Sequence, residues 1–590
     1  MMHCDSVCMF IMFIDSQERM FTFAGKRTAN MSQNKSKTGQ RKGAQPAPAV
    51  QPAAPKIAWP AIPEWAGVGL LLLFTIVLRW QFLDLPLERD ESVYYYAGKA
   101  ALDGGRPYFD FYEMKPPGLF YTYAFLIALF GYSGTGAHLA LLFVSLSNTV
   151  FTYLLARHFG GKRTALVAAT AFVFFSLDPG ASGLYFVAEH LALMWALPGM
   201  WLALQYPERT NKFMLVGSGV LLSLAVLVKQ TAGVSVLAVA VYWLIRWWPN
   251  RREQSLKPLL WWAAGGIFPV ICAFLVVWAS GTMQDAHFWL YDYPQRYAVA
   301  ANEEKIGLYF KTSWKLVSAG YEGYFILAAL GLAALWWSRL SLASKTFITV
   351  WTLLSALTIV PGMRFYGHYY LLAFPALCIA GALLFDTIGK RMTQQQTMPV
   401  LLMSLGLLWG AHHFLINSSL YLRPPLRMIS RIFSPGNPFP EHQILAEELK
   451  KVLKPDDTVA VFGSDPQYFI YLDKPSPIRH IYMPFLAKGQ FPEALQWQQE
   501  TIQRLKETKP QYVIFNSYPY AWLARYDMGN AFTKEILTFL QSPEYEPYLF
   551  IEADSKSKPA VVKYQVQQGM VKNNVNFIQV YRRKEVRSER

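Results

Sequence analysis

Apolar runs of about twenty residues recur up to roughly position 420 of this 590-residue chain, and they constrain its fold more than any other feature. A helix of that length crosses the hydrocarbon core of a bilayer. Charged residues make up 16% of the sequence, whereas a soluble globular domain carries about a quarter. The sequence therefore predicts a polytopic α-helical membrane protein. About eleven spans are predicted, near 65–83, 135–156, 163–180, 184–205, 213–229, 231–248, 258–280, 322–338, 346–361, 368–388 and 397–417.

One further apolar segment, Gly118–Gly131, has only fourteen residues, which is typical of an interfacial or re-entrant helix. Basic residues decide the topology, because Lys and Arg accumulate in cytoplasmic loops. If this segment does not cross the membrane and the basic N-terminal tail is cytoplasmic, the strongly basic loops all face the cytoplasm; if it crosses, they all face outward. We therefore predict a cytoplasmic N-terminus and an extracytoplasmic C-terminus. The net charge of +16 follows this pattern, and the sequence shows no nucleic-acid-binding module.

Three regions are predicted along the chain. Residues 1–63 form a basic tail whose Pro/Ala-rich composition is typical of disorder, and the natural start is expected at Met31. Residues 64–419 form the transmembrane domain, with interfacial helices in its first external loop. Residues 420–590 form an extracytoplasmic α/β domain. In that last region, helical patterns at 441–453 and 492–507 alternate with strand-like runs at 458–462, 512–515, 560–564 and 577–581.

The first external loop carries the residues best suited to chemistry. Asp90 and Glu91 follow directly after a predicted span, so they lie near the membrane surface, where a carboxylate can act as a general base toward a hydroxyl or amine. Lys115 precedes Pro116-Pro117 at the start of the interfacial helix, and a cation at a helix N-terminus favours binding of a lipid phosphate. The alternative is that these charges only decorate a solvated loop.

These motifs resemble the glycosyltransferase C superfamily. The resemblance rests on the Asp-Glu pair, on Gly105-Arg106-Pro107-Tyr108, and on Lys-Pro-Pro-Gly at 115–118, with weaker likeness at 364–377 and 461–480. It is closest to the bacterial branch related to protein O-mannosyltransferases and the lipid A aminoarabinose transferase. In this superfamily the first-loop aspartate is the catalytic base, which implies that role for Asp90.

The resemblance also implies that Lys115 lies near the phosphate of a polyprenyl carrier. Met114 separates Glu113 from Lys115, whereas some relatives have the acid and the lysine adjacent, so no role is assigned to Glu113. Some members bind a divalent ion through the Asp-Glu element and others use none. No cofactor is therefore certain, and Asp90 and Glu91 are the ligands expected if a metal ion is used.

Other polar residues qualify by their position at the external ends of spans. An acid buried in a membrane is costly and often functional, and Arg and His can hold phosphate by charge-assisted hydrogen bonds. Snorkelling, helix capping and interfacial anchoring are the structural alternatives. The candidates for donor-phosphate binding are Lys229, Arg364, His368 and Tyr369. The candidates for acceptor or substrate binding are Glu189, His190, Tyr94 and Tyr108. The second long external loop, with Asp292 and Arg296, is expected to fold over the site.

The sequence thus predicts a multi-pass glycosyltransferase of the bacterial plasma membrane. Its expected partners are a polyprenyl-phosphate-sugar donor, membrane lipids, and an acceptor that is a glycan, a lipid or a protein. The transfer is expected to invert the sugar. A lipid or sugar transporter, or flippase, is the alternative; it predicts internal repeats and charged mid-membrane helices, and neither is evident. A membrane-anchored scaffold would leave the many spans and the charged loop unexplained.

Overall fold

A computed structural model describes residues 64–250, 255–299, 305–391, 414–415, 418–422, 426–434, 436–483, 486, 493–522, 531–552, 566–571 and 576–584. The tail at 1–63 and the predicted strand at 560–564 lie outside these residues, as does nearly all of the predicted span at 397–417. The α-helices are α1 Glu64–Trp80, α2 Arg89–Leu102, α3 Gly118–Phe130, α4 Gly134–Gly160, α5 Lys162–Phe175, α6 Ala188–Arg209, α7 Lys212–Val228, α8 Gly233–Trp247, α9 Lys257–Ala279, α10 Met283–His287, α11 Tyr293–Val299, α12 Ile306–Ser318, α13 Glu322–Leu335, α14 Leu342–Leu357, α15 Phe374–Arg391, α16 Ser418–Leu422, α17 Leu426–Phe433, α18 Phe439–Lys450, α19 Gln467–Leu472, α20 Glu493–Thr508 and α21 Ala531–Leu540.

Short irregular helices complete the helical part. Segments of 3₁₀-helix are Gln230–Ala232, Trp248–Asn250, Pro361–Met363, Gly367–Leu372 and Pro519–Trp522, and Phe288–Asp292 is a π-helix.

Several described helices suit a bilayer by length and composition. Three are long and apolar enough to cross: Gly134–Gly160, Lys257–Ala279 and the segment Leu342–Met363. The pair α12 and α13 together makes a fourth candidate that is bent by 96°. Shorter apolar helices include α3 and α7. A helical membrane protein is therefore the observed class, and the predicted number of eleven spans stays a prediction. The segment predicted to be interfacial or re-entrant is the 13-residue helix α3.

Glycines allow close helix packing in the membrane domain. The helices α7 and α9 pack against each other, and a Cβ atom on Gly219 would lie 2.1 Å from the carbonyl oxygen of Trp262. A Cβ atom on Gly265 would lie 2.2 Å from the carbonyl oxygen of Val216. Small residues at such crossings let backbones approach and increase van der Waals contact between helices. The Gly265-Gly266 pair is thus a packing point.

The C-terminal region contains a five-stranded mixed sheet with the strand order β1-β2-β5-β3-β4. The strands are β1 Val459–Phe462, β2 Tyr512–Asn516, β3 Tyr545–Glu552, β4 Val566–Gln568 and β5 Phe577–Arg583. Strands β1 and β2 are parallel, and the other neighbours are antiparallel. The strands predicted at 458–462, 512–515 and 577–581 are confirmed as β1, β2 and β5, and the helical patterns at 441–453 and 492–507 are confirmed as α18 and α20. Strands β3 and β4 were not predicted.

Candidate active site

The first turn of α2 carries three carboxylates within four residues. Glu88 is the N-cap, and its Oε2 accepts hydrogen bonds from the backbone N–H groups of Asp90 (2.6 Å) and Glu91 (3.4 Å). In return, Oε1 of Glu91 accepts the N–H of Glu88 at 2.6 Å, which completes a capping box. Burial, and next the charges of Asp90 and Glu91, raise the pKa of Glu88 well above its ordinary value. The sequence pattern therefore starts a helix and fixes an acidic turn.

Asp90 and Glu91 are neighbours, but their side chains have different environments. Glu91 is 1% exposed, and its Oε2 accepts the backbone N–H of Phe186 at 2.6 Å and lies 3.6 Å from Nε2 of His138. Asp90 is half-buried, and within the described part of the chain its carboxylate has no hydrogen-bond or ion-pair partner. Glu91 therefore ties α2 to the loop before α6, while the Asp90 carboxylate is left available.

Lys115 is held close to α2. Its Nζ donates a hydrogen bond to the hydroxyl of Tyr94 at 2.6 Å and lies 3.3 Å from Oε1 of Glu113. Tyr108 is fully buried with a φ of 65°, and its hydroxyl donates to the carbonyl of Lys115 at 3.0 Å. Burial, and next the charge of Asp90, raise the pKa of Tyr94 well above its ordinary value, so this hydroxyl stays neutral. Tyr94 and Tyr108 thus position the lysine from its two ends.

A second charged group forms where α6, α7 and the 3₁₀-helix Gly367–Leu372 meet. Nζ of Lys229 is in direct contact with Oε1 of Glu189, and both side chains are buried. Nε2 of His368 lies 3.9 Å from the same oxygen, and the ring of Tyr369 lies 4.6 Å from Nζ of Lys229. Four of the residues predicted to be in the site are therefore in contact.

The two groups adjoin each other. The charges of Asp90 and Lys115 lie within electrostatic range of both Lys229 and His368. The side-chain amide of Gln230, next to Lys229, donates to the carbonyl of Met114 at 2.9 Å, so the two lysine-bearing segments are linked. The arrangement therefore brings the Asp90 carboxylate within electrostatic range of Lys229, in a site that also holds Lys115. We name Asp90, Lys115, Glu189, Lys229 and His368 the charged cluster.

Other predicted residues lie around the cluster or apart from it. The guanidinium of Arg364 lies 5.1 Å from the ring centroid of Tyr297. In the sequence, Arg364 is flanked by Met363 and Phe365, which both have a positive φ. His190 is buried within electrostatic range of Arg79, and its Nε2 has no hydrogen-bond partner among the described residues.

The second external loop packs against the C-terminal region. Arg296 forms an ion pair with Glu493 at 3.0 Å, and Asp292 lies 3.3 Å from Nδ1 of His287. The ring of Trp289 stacks between Tyr112, at 4.3 Å, and Trp497, at 5.7 Å. This loop therefore joins the first external loop to helix α20.

The residues present do not form a clear metal site. In the part of the chain that the structure describes, no group of three or more His, Cys, Asp or Glu side chains is arranged to hold a metal ion. Both oxygens of Glu91 already accept backbone hydrogen bonds, so Asp90 and Glu91 do not present a pair of available carboxylates. The Asp-Glu element as it stands here does not fit a bound cation.

Two neighbours of Asp90 were not identified from the sequence. Tyr482, in the C-terminal region, lies within electrostatic range of Asp90, and burial first and that charge second raise the pKa of its phenol well above the ordinary value. Arg89 is 8% exposed and is bonded to the same region. The only signal for Arg89 in the sequence is its position beside the acidic pair.

One family model matches part of this chain. A family model described as dolichyl-phosphate-mannose-protein mannosyltransferase matches residues 114–278, which include Lys115, Glu189 and Lys229. No curated protein sequence matches the chain. The family-model match, over less than half of the chain, agrees with the resemblance found in the sequence.

Solved structures similar to this chain include two membrane proteins. The chain is similar to ArnT from Cupriavidus metallidurans bound to undecaprenyl phosphate, with a TM-score of 0.54 and 15% identity over 78% of this chain and 94% of ArnT. It also aligns with the oligosaccharyltransferase of Archaeoglobus fulgidus in the apo form, with a TM-score of 0.48 and 12% identity over 86% of this chain and 74% of that one. At 15% identity, the likeness to ArnT establishes the fold.

Proposed function

We propose that this protein is a membrane glycosyltransferase that moves a sugar from a polyprenyl-phosphate carrier to an acceptor on the extracytoplasmic side. The observation that carries the proposal is the environment of Asp90. Its carboxylate is half-buried and has no bonded partner among the described residues, and it lies, as Lys115 does, within electrostatic range of Lys229 and His368. A base without a competing partner beside a cationic site suits proton removal next to a departing phosphate.

The reaction is a single displacement. Asp90 accepts the proton of the acceptor hydroxyl or amine, and the acceptor atom forms a bond to the anomeric carbon of the sugar. The bond between that carbon and the phosphate oxygen breaks, and the polyprenyl phosphate leaves with the electron pair. Attack on the side opposite the leaving group inverts the anomeric carbon. Every step of this scheme is carried by the two substrates and by residues of this chain.

The lysines of the charged cluster bind the donor phosphate. Lys115 is oriented by Tyr94 and Tyr108, and Lys229 lies over the ring of Tyr369, so both ammonium groups have fixed positions. Fixed cations stabilise the charge that develops on a leaving phosphate without reorganisation. The likeness to ArnT, which was solved with undecaprenyl phosphate, supports a polyprenyl phosphate as the carrier.

The remaining predicted residues take supporting places in this proposal. Glu91 positions the turn that carries Asp90, because its carboxylate is bonded to two backbone N–H groups. His368 and Arg364 border the donor phosphate together with Glu189, which is paired with Lys229, and His190 lies on the acceptor side. The chain is placed in the bacterial plasma membrane with residues 420–590 outside the cytoplasm, as the loop charges predict.

Lipid analysis of a deletion strain tests the function. A strain without this protein should accumulate one polyprenyl-phosphate sugar and should lack one glycan of its envelope. Complementation with the wild-type chain should reverse both changes, and complementation with Asp90→Asn should reverse neither. Unchanged lipid-linked sugars together with an intact set of envelope glycans would contradict the proposal.

A further inference from the structure

Arg89, the residue directly before Asp90, is bonded to the C-terminal region. Nε of Arg89 donates to the carbonyl of Ser464 at 2.7 Å, and its Nη2 donates to Oδ1 of Asn437 at 3.0 Å. The guanidinium also lies 5.9 Å from the ring centroid of Phe439. Arg89 is 8% exposed, so these are contacts of a buried cation rather than of a flexible surface side chain. Charge-assisted bonds of this kind are shorter and stronger than neutral ones.

The backbone before the acidic turn is held in the same way. The N–H of Leu87 donates to the hydroxyl of Tyr471 at 2.8 Å, and the side-chain amide of Gln467 donates to the carbonyl of Leu87 at 3.3 Å. Two residues of α19 therefore satisfy both polar backbone groups of Leu87. Because Leu87 and Arg89 are fixed, the backbone that leads to Asp90 has little freedom to shift.

The loop that receives Arg89 is itself tightly constrained. The N–H and the hydroxyl of Ser464 both donate to the carbonyl of Ala521, at 3.0 and 2.7 Å. The next residue, Asp465, is fully buried and accepts a hydrogen bond from the amide of Asn516 at 2.6 Å. Ser464 and Asp465 follow the carboxyl end of β1, and Asn516 is the last residue of the parallel strand β2. The sheet therefore provides a rigid anchor for the Arg89 contact.

Other contacts spread this junction along the first external loop. The hydroxyl of Tyr96 accepts the N–H of Ser476 at 3.2 Å, and Arg479 donates to the carbonyl of Phe109 at 2.8 Å. Nearer the site, Tyr482 is within electrostatic range of Asp90. The C-terminal region thus contacts the loop from residue 87 to beyond residue 109.

We propose that the C-terminal region positions the general base, and that Arg89 is the positioning residue through which it acts. This rests on the proposed function, since it assigns the region a part in the proton transfer at Asp90. The region contributes no group to the bond-making step in this scheme. It holds the backbone at Leu87 and Arg89, so that the helical turn that begins there aims the Asp90 carboxylate at the acceptor. Catalysis is sensitive to such placement, because a misplacement of about 1 Å can lower a rate by roughly 10²-fold.

Steady-state kinetics of the full chain test this proposal. The donor is the lipid-linked sugar extracted from the deletion strain, the acceptor source is envelope from the same strain, and release of polyprenyl phosphate is measured. Arg89→Ala should lower kcat by roughly 10²-fold and leave the KM for the donor unchanged. Arg89→Lys keeps the charge and one hydrogen bond, so its kcat should lie between those of Arg89→Ala and the wild type. Lys99→Ala, which removes a partly exposed ion pair on the same helix, is the matched control and should behave as the wild type.

Tyr471→Phe keeps the test decisive if Arg89→Ala does not fold. It removes one hydroxyl from the other side of the junction and should lower kcat roughly five-fold, again with the donor KM unchanged. A wild-type kcat in well-folded Arg89→Ala or Tyr471→Phe would overturn the proposal, and so would a change confined to the donor KM. Full activity of Asp90→Asn would instead contradict the proposed function, so the two failures are distinguishable.

Discussion

Lys229 and Glu189, forty positions apart in the sequence, form a buried ion pair through Nζ and Oε1. Lys229 directly follows the last residue of α7, and Glu189 lies in the first turn of α6. His368 approaches the same carboxylate oxygen at 3.9 Å. The charge of Lys229 is therefore neutralised by the protein itself. In our account, the phosphate of the donor competes with Glu189 for this lysine.

Glu189→Gln tests that competition. We expect the lipid-free variant to be less stable than the wild type, because breaking one side of a buried ion pair costs about 3–5 kcal/mol. Undecaprenyl phosphate should raise the melting temperature of the variant more than that of the wild type, because the phosphate restores an anionic partner. Thermal unfolding in detergent, with and without this lipid, measures both effects. Equal stabilisation of the two proteins would show that the phosphate does not contact Lys229.

Glu91→Gln separates a positioning role from a metal-binding one. Gln has one carbonyl oxygen and so keeps one of the two backbone hydrogen bonds that Glu91 accepts; kcat should therefore fall, but less than in Asp90→Asn. Treatment of the wild-type protein with a chelator should leave transfer unchanged. Loss of activity on chelation, restored by a divalent ion and abolished by Glu91→Gln, would assign a metal ion to the Asp-Glu element and contradict our assignment.

Membrane topology follows from the loop charges. A reporter fused to the C-terminus should indicate an extracytoplasmic location, and one inserted in the loop 249–256 should indicate a cytoplasmic location. Alkaline phosphatase, which is active only outside the cytoplasm, and a fluorescent protein that is active inside are suitable reporters. The opposite pattern would show that the apolar helix α3 crosses the membrane and that the number of spans is wrong.

The C-terminal region should lose stability in mild acid because of His442. This side chain is fully buried, and burial, with smaller contributions from Arg89 and Arg431, lowers its pKa from 6.5 to about 4. Asp465, 3.4 Å away, opposes that shift. Between about pH 4 and pH 6.5, His442 binds a proton in the unfolded chain but not in the folded chain. The folded state therefore loses stability as the pH falls through this range. Wyman linkage gives a loss of about 2 kcal/mol between pH 7 and pH 5.

Thermal unfolding of wild type and His442→Gln at both pH values measures this contribution. The melting temperature of the wild type should fall more between pH 7 and pH 5 than that of the variant, because only the wild type contains the shifted histidine. The same pH dependence in both proteins would show that His442 does not remain neutral in the folded state.

Local sequence was sufficient to predict the parts of the site that depend on neighbouring residues. The acidic turn at Asp90 and the lysine before Pro116 were found because their chemistry and their position beside an apolar run are local. Lys229 and Glu189 were also identified as candidate site residues, since buried charges at the ends of apolar helices are rare. Their contact with each other was not predictable, because it depends on how α6 and α7 pack.

Features that depend on distant partners were not found from the sequence. The bonds of Arg89 join residues 375 and 348 positions apart, and the Glu91–Phe186 bond joins residues 95 apart. Strand β3 was missed for a local reason, since Pro547 and two glutamates interrupt its apolar pattern. The register shift between Pro547 and Leu549 accommodates that proline within the sheet.

The most direct test of the account is the transfer activity of Asp90→Asn. The substitution keeps the size and the hydrogen-bonding capacity of the side chain but removes its basicity, so kcat should fall by about 10²–10⁴-fold while the protein stays folded. Lys115→Ala, measured in parallel, should mainly raise the KM for the lipid donor, because it removes a charge that faces the phosphate. The measurement follows radiolabelled sugar from the polyprenyl-phosphate donor into the acceptor. Near-abolished transfer by a well-folded Asp90→Asn protein is the predicted result, and transfer close to that of the wild type would contradict the assignment of Asp90 as the general base.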